Sequence, residues 1–356
     1  MNLLKQTIDS IGKTNEKAMA TTKEKWDSLV KPIGSLGSLE EVTIKISGIT
    51  GNTINQINKS VVVVMCSDNG IVEEGVSSAP QFFTKVLAET MSKGLTGVAT
   101  LAKVTNTDVL TVDLGIIGEI SDNSIIDRKI SHGTRNFIKG PAMTYDEATK
   151  AIEVGILIGD ELYNKKYDYI GTGEVGIGNT TTAAAVLSVL TGLDVEITCG
   201  KGAGITNEQH LKKKELIKLG IQKNNPNPHD PIDVISKVGG YDIAGMCGLF
   251  LSAANNRIPI LIDGFISATA ALCAIRLNPI VKDYLIPSHL SAEPGSKFLM
   301  EELGLVPMLN LGMRLGEGSG CPLAFSIIQA GMFTLENMGT FTEVSLSDKT
   351  LIDIRK

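Results

Sequence analysis

Aromatic residues are scarce in this 356-residue chain, at 4% with a single tryptophan. That argues against a platform of rings on which nucleic-acid bases would stack. Positive charge is not in excess either: 33 Lys+Arg stand against 39 Asp+Glu, for a net charge of −6. With no concentrated basic stripe, a phosphate-backbone partner is not expected. Cysteine is sparse and scattered. Cys66, Cys199, Cys247, Cys273 and Cys321 are odd in number and form no CxxC pair. Neither a disulfide framework nor a structural zinc site is expected, and the thiols read as reduced and buried. Four histidines (His132, His210, His229, His289) lack ligand spacing, so no metal is expected. No stretch reaches the roughly 18 uninterrupted apolar residues of a membrane span. The opening MNLLKQTIDSIGKTNEKAM is too polar for a signal peptide. The expectation is a cytoplasmic protein with no nucleic-acid and no membrane partner.

Glycine, by contrast, is abundant: 37 residues, where ordinary usage of about 7% gives roughly 25. Such an excess points to tight turns and to backbone that must approach something closely. The length suggests about two domains. Residues 1–60 read as helix, turn, helix, broken by KPIGSLGS. From residue 61 short β-branched runs recur, beginning with VVVVMC (61–66) and DVLTVD (108–113). YDYIGT (167–172), IPILID (258–263), YLIPS (284–288) and more weakly LVPMLN (305–310) follow. Helical stretches at 84–104, 146–163, 241–256 and 319–338 lie between or after them. Strands alternating with helices imply an α/β, Rossmann-like, mostly parallel sheet of about six strands flanked by helices. The expected division is a large domain over 61–311 and a small helical domain from 1–60 plus about 312–356, both chain ends contributing.

Ligands of open parallel sheets bind beyond the carboxyl ends of the strands. Here VVVVMC runs into SDNG, YDYI into GTGEVGIGNTTT, ILID into GFIS, YLIP into SHLSAEPG and LVPMLN into LGMRLGEGSG. Glycine, hydroxyl and acid at every strand end point to a polar small-molecule site. GTGEVG (171–176) also fits the G-x-G-x-x-G turn of dinucleotide-binding proteins, with Asp194 about 20 residues on; this supports an NAD-dependent oxidoreductase as the alternative reading. Asn179, Thr180 and Thr181 in GNTTT are expected to cap the next helix and leave amides free for a phosphate. In LKKKE (211–215) one of Lys212, Lys213 and Lys214 could turn from a solvated face toward that phosphate. There is no GxxxxGK[ST], so a nucleoside triphosphate cradle is not supported.

Glu317, in GMRLGEGSGCP, is framed by Gly316, Gly318 and Gly320 just before a long helix. The glycines restrict where the carboxylate can sit, and the positive end of the helix favours its ionised form, as a base requires. An ordinary first-turn helix acid would look the same by composition.

Taken in order, KPIGSLGSLE, DNGIVEEGVSSAP, DLGI, GTGEVGIGNTTTAAA, SKVGGYDIAGM, LIDGF, IPSHLSAEPG and LGEGSGCPLA resemble one family from about residue 20 to 340. It is nicotinate-nucleotide–dimethylbenzimidazole phosphoribosyltransferase, of cobalamin assembly. The resemblance implies a Rossmann-like sheet domain with a small helical domain, assembled as a homodimer. It implies that nicotinate mononucleotide and 5,6-dimethylbenzimidazole give α-ribazole 5′-phosphate and nicotinate. Because no pyrophosphate departs, it implies no cofactor and no magnesium.

Residue by residue, Glu317 falls at the family's catalytic base and Glu174 at a second site glutamate. Gly176, Asn179 and Thr180 are expected near ribose and phosphate, and Lys213 at a substrate-contacting lysine. Ser291, Gly316 and Gly318 are expected to line the substrate. Ala79 and Leu87 fall near the aromatic base, where some members have a hydroxyl and an amide. Asp68-Asn69-Gly70 stands where members often read Asp-His-Gly. These departures leave the acceptor open among dimethylbenzimidazole, another benzimidazole and adenine. A non-catalytic nucleotide sensor is a third reading, against which the intact glycine frame of Glu317 argues.

Overall fold

A computed structural model describes residues 3–346 and 352–355 of the chain. Six strands form one sheet: β1 (Ser60–Ser67), β2 (Asp108–Gly115), β3 (Ile126–Asp127), β4 (Tyr169–Val175), β5 (Ile260–Ile262) and β6 (Leu285–Pro287). Their order is β3-β2-β1-β4-β5-β6 and every pairing is parallel. This is the Rossmann order, in which the chain reverses its direction of winding between β1 and β4.

All eight residues of β1 and all seven of β4 are buried. A parallel sheet covered on both faces demands this, and it explains why these strands read as unbroken apolar runs. Val61, Val63 and Met65 enter the larger core cluster, while Val62, Val64 and Cys66 enter the second. On the first face lie the helices Tyr145–Asn164, Asn179–Thr191, Tyr241–Asn255 and Phe265–Leu277. The second face is covered by Ser38–Thr50, Phe83–Ser92, Gly97–Val104 and Gly320–Asn337. Each fully buried aliphatic side chain contributes about 1.5–3 kcal/mol. Part of the glycine excess serves this packing: a Cβ at Gly155 would collide with the Gly245 carbonyl, and one at Gly248 with that of Ile152. Helices Tyr145–Asn164 and Tyr241–Asn255 therefore pack backbone to backbone. All five cysteines are buried and unpaired.

The chain ends meet. Trp26 and Leu29 pack with Leu335, Leu29 bridges Thr340, and Trp26 Nε1 donates to Thr43 Oγ1 at 2.7 Å. The helix Leu3–Ser10 lies instead on the sheet domain, where Leu4 and Ile11 join the large cluster. Residues 1–2, 347–351 and 356 of the expected helical unit lie outside the described residues.

Several expected boundaries differ. LVPMLN is not a strand; only Leu309 makes an isolated bridge, to His289. The sixth strand is the two-residue β3, too short to carry a periodic signal. The helix expected over 84–104 is two, because Gly94 at φ 75 turns the chain. The strand expected over 167–172 runs on to Val175.

Candidate active site

The carboxyl ends of β4, β5 and β6 surround a cavity of about 300 Å³ beside the point where the strand order reverses. Helix Phe83–Ser92 and the loops at 76–79, 201–205 and 314–317 close it. Glu317, Glu174, Gly176, Asn179, Thr180, Ser291, Ala79, Leu87 and Gly316 all line it. Lys213 and Gly318 do not, but each is bonded to a residue that does.

Glu317 has φ 63, between Gly316 at φ 86 and Gly318 at φ 91. Three successive left-handed residues throw the chain into a tight arch, a conformation that costs a non-glycine residue about 1–2 kcal/mol. The arch rests on β4: a Cβ at Gly173 would overlap the Glu317 carbonyl, and one at Gly316 would sit 2.6 Å from Glu174 Oε1. Glu317 is only 8% exposed. Its Oε2 accepts from Val98 N at 3.1 Å, in the first turn of the helix Gly97–Val104. An anion at a helix N-terminus is stabilised there by open amides and the helix dipole.

Glu174, next to last in β4, is equally buried, and Asn179 Nδ2 donates to its Oε2. Burial pushes its carboxyl well above the usual range, with Asp242, Asp263 and Glu317 adding to the rise and Asn179 opposing it. Burial in the free protein therefore favours the protonated form of Glu174. Asp263, the residue after β5, also lines the cavity. Its Oδ2 and Oδ1 accept from Gly318 N and Gly320 N at 3.1 and 2.7 Å. Burial raises it to about 7, the two amides opposing and Glu317 adding. Asp242, likewise buried, is raised to about 7 by burial, against the Ile243 amide and Asn179. One end of the cavity is thus walled by Glu174, Asp263 and Glu317, an arrangement suited to a positively charged ligand.

The neighbouring part of the cavity, at a helix N-terminus, suits an anion. Gly178 at φ 89 leads into helix Asn179–Thr191, which has no side-chain cap. Asn179, Thr180 and Thr181 are therefore first-turn residues and not caps, because the Asn179 side chain is taken by Glu174. Lys213 Nζ donates to Thr180 Oγ1 at 2.9 Å and to the Gly200 carbonyl at 3.2 Å, and the residue is only 1% exposed. Burial lowers its pKa, with Cys199 and Glu293 opposing. Its neighbours in sequence face elsewhere: Lys212 donates to the Glu74 carbonyl and Lys214 to Glu196. Lys201, Gly202 and Arg314 complete this part. Val76, Ala79, Phe83, Leu87 and Leu315 line the cavity with apolar side chains.

GTGEVG is not a phosphate-binding turn. Gly171 to Val175 are strand residues of β4, and the room that Gly171 and Gly173 leave is filled by Cys321 and Glu317. Only Gly176 belongs to the turn. Sequence reasoning gave no role to Asp263, Glu293, Arg314 or Phe83. The lone acid closing ILID was the one available signal for Asp263. The other three sit in loops or on a helix whose approach to the site depends on tertiary packing. His289, also lining the cavity, is 2% exposed and has its pKa lowered by burial.

A phosphoribosyltransferase family model matches residues 11–346. The chain is 52% identical to nicotinate-nucleotide–dimethylbenzimidazole phosphoribosyltransferase of Clostridium tetani (strain Massachusetts / E88), over 100% of this chain and 99% of that one. The protein of the same description from Clostridium perfringens (strain ATCC 13124) is 50% identical over 99% and 98%. Among solved structures, CobT from Thermus thermophilus matches with a TM-score of 0.89 at 33% identity, over 93% of this chain and 99% of that one.

Proposed function

The chain belongs to the nicotinate-nucleotide–dimethylbenzimidazole phosphoribosyltransferase family, and from that membership we propose the reaction and the part each residue plays in it. The enzyme is a pentosyltransferase. It moves the 5-phosphoribosyl group of nicotinate mononucleotide to 5,6-dimethylbenzimidazole or a related base, giving α-ribazole 5′-phosphate and nicotinate. An oxidoreductase finds no support, since the glycines of GTGEVG are occupied within the strand.

The carrying observation is what the cavity brings together: the carboxyls of Glu174, Asp263 and Glu317 at one end, and next to them a helix N-terminus with Thr180, backed by Lys213. The 5′-phosphate belongs at that N-terminus, where helix amides and buried positive charge favour it. Lys213 acts from behind, fixing Thr180 and the Gly200 carbonyl. Gly176, Asn179 and Ser291 flank the ribose. The anomeric carbon then lies toward Glu174 and Glu317.

Nicotinate mononucleotide carries its positive charge on the pyridinium. As the C1′–N bond breaks, the electron pair goes to the ring nitrogen and the charge passes to the ribosyl group. Carboxylates close to that path stabilise it through Coulomb attraction, which a water-poor cavity strengthens. A cationic substrate also draws Glu174 toward its ionised form. The imine nitrogen of the acceptor forms the new bond from the face opposite the leaving group, inverting a β-nucleotide to the α-product. The other ring nitrogen then loses its proton to Glu317. The leaving group is already cationic, so no strong general acid is needed.

The apolar wall of Val76, Ala79, Phe83, Leu87 and Leu315 receives the flat acceptor. Ala79 and Leu87 offer methyl and isobutyl contacts and no hydrogen bonds, which favours dimethylbenzimidazole over adenine. The enzyme acts as a homodimer in the cytoplasm: exposed Phe82, Phe83 and Val86 beside the cavity offer a surface for a second copy, and five unpaired cysteines suit a reducing compartment. The packing of Trp26 and Leu29 on Leu335 supports a small helical domain drawn from both chain ends beside a sheet domain over 61–311, with helix Leu3–Ser10 grouped with the sheet domain.

The test is chromatography of nicotinate mononucleotide incubated with pure protein and a panel of bases. Nicotinate should appear only when a benzimidazole is present. Its absence with every base would refute the assignment.

A further inference from the structure

We propose that Asp263 is a positioning residue for Glu317, its carboxylate clamping the arch that carries the base. The inference rests on Glu317 being the base. The arch at 316–318 is unfavourable for Glu317 itself, since a left-handed conformation crowds its Cβ, so something must hold it. Turn hydrogen bonds within the segment, Ser319 N to Gly316 O at 3.0 Å and Cys321 N to Gly318 O at 3.1 Å, shape the loop but do not anchor it to the sheet.

The long helix Gly320–Asn337 begins without a side-chain cap of its own: Ser319 is in the right-handed region and its hydroxyl has no partner among the described residues. The cap comes from 57 residues away. Asp263 grips Gly318 N with one oxygen and Gly320 N with the other, spanning Ser319 immediately beside Glu317. A carboxylate can accept both bonds at once, one on each of its diverging oxygens.

Asp263 is itself fixed to the sheet. Its amide donates to Ser267 Oγ at 3.2 Å, and its carbonyl accepts from Ser288 Oγ at 3.0 Å. The clamp also explains the glycine at 320. A Cβ there would lie 2.9 Å from Asp263 Oδ1 and 2.7 Å from Ser288 Oγ, and would overlap His289 Nδ1. Glu317 is thus held twice, its backbone through Asp263 at the end of β5 and its carboxylate by Val98 N at the start of helix Gly97–Val104.

The experiment is a double-mutant cycle on the full-length enzyme, measuring α-ribazole 5′-phosphate formation. Asp263→Asn keeps the shape but leaves one oxygen, so kcat should fall roughly 10–100-fold while KM for both substrates stays within about threefold. Because Asp263 acts through Glu317, the same substitution in a Glu317→Ala background should change the residual rate by less than about twofold. Normal turnover by Asp263→Asn, or a full multiplicative loss in the Glu317→Ala background, would overturn the proposal. Normal turnover by Glu317→Ala would overturn the base assignment and this inference with it, so the two failures are distinguishable. Should Asp263→Asn not fold, amide hydrogen exchange in the unaltered protein decides the matter. Gly318 and Gly320 should be strongly protected, and exchange at the rate of a free loop would overturn the clamp.

Discussion

Gly173 lies directly beneath Glu317: a methyl group on residue 173 would overlap the Glu317 carbonyl and crowd Gly318 N at 2.8 Å. At this point the strand and the arch meet backbone to backbone. Gly173→Ala should therefore push the arch out of place without removing any polar group. Misplacement by about 1 Å can cost on the order of 10²-fold in rate, and overpacking costs about 1–3 kcal/mol of stability. Steady-state kinetics with thermal melting checks this. A folded Gly173→Ala enzyme with unaltered kcat would contradict the placement of Glu317.

Lys213 is expected to affect the nucleotide and not the acceptor. Lys213→Ala removes the charge behind Thr180 and the bond to the Gly200 carbonyl. KM for nicotinate mononucleotide should rise by roughly 10–100-fold, as losing a hydrogen bond to a charged group costs about 1.5–3 kcal/mol, while KM for the base stays nearly constant. Lys212→Ala, on an exposed neighbour, serves as the control. An equal rise for both substrates would argue against a phosphate at this helix N-terminus.

Asp242 gives a test of buried charge. Its folded pKa, about 7, lies above its ordinary 3.8, so between those values the fold binds the proton more tightly than the unfolded chain. The stability tied to this group is full at pH below about 4 and is lost as pH rises through about 7. Asp242→Asn, which cannot ionise, should melt above the unaltered protein near pH 8, with the difference shrinking toward pH 5. A difference independent of pH would contradict the buried, strained carboxylate.

Acceptor choice should follow the apolar wall. With Ala79 and Leu87 lining the cavity, kcat/KM should favour dimethylbenzimidazole over adenine by about 10-fold or more, since an unpaired buried amine costs about 1–3 kcal/mol. Leu87→Gln should narrow that ratio by supplying an amide. Adenine turning over as well as dimethylbenzimidazole would show that these two positions do not discriminate.

The larger features of the fold were readable because they depend on local pattern. β1 is a fully buried run rich in valine and β2 is buried over its last five residues, and the α/β alternation alone suggests a parallel sheet. β3 was invisible because two residues have no period, and LVPMLN misled because apolar composition does not guarantee a pairing partner. Glu317 stood out through its glycines, whose positive φ angles are a direct physical demand. GTGEVG drew attention for the wrong reason: its glycines make room for Cys321 and Glu317, which lie about 150 residues away in sequence. Separation in sequence also hid Asp263, whose carboxylate meets a loop 55 residues further on. Among three successive lysines, only the packing of helix Asn207–Asn224 distinguishes Lys213 from its neighbours.

The most direct measurement compares the unaltered enzyme with Glu317→Gln, following α-ribazole 5′-phosphate and nicotinate together by chromatography. The expected result is equal amounts of both products from the unaltered enzyme and a rate lower by about 10²–10⁴-fold for Glu317→Gln, the usual contribution of a general base. Near-normal product formation by a folded Glu317→Gln would contradict the central role of this carboxylate.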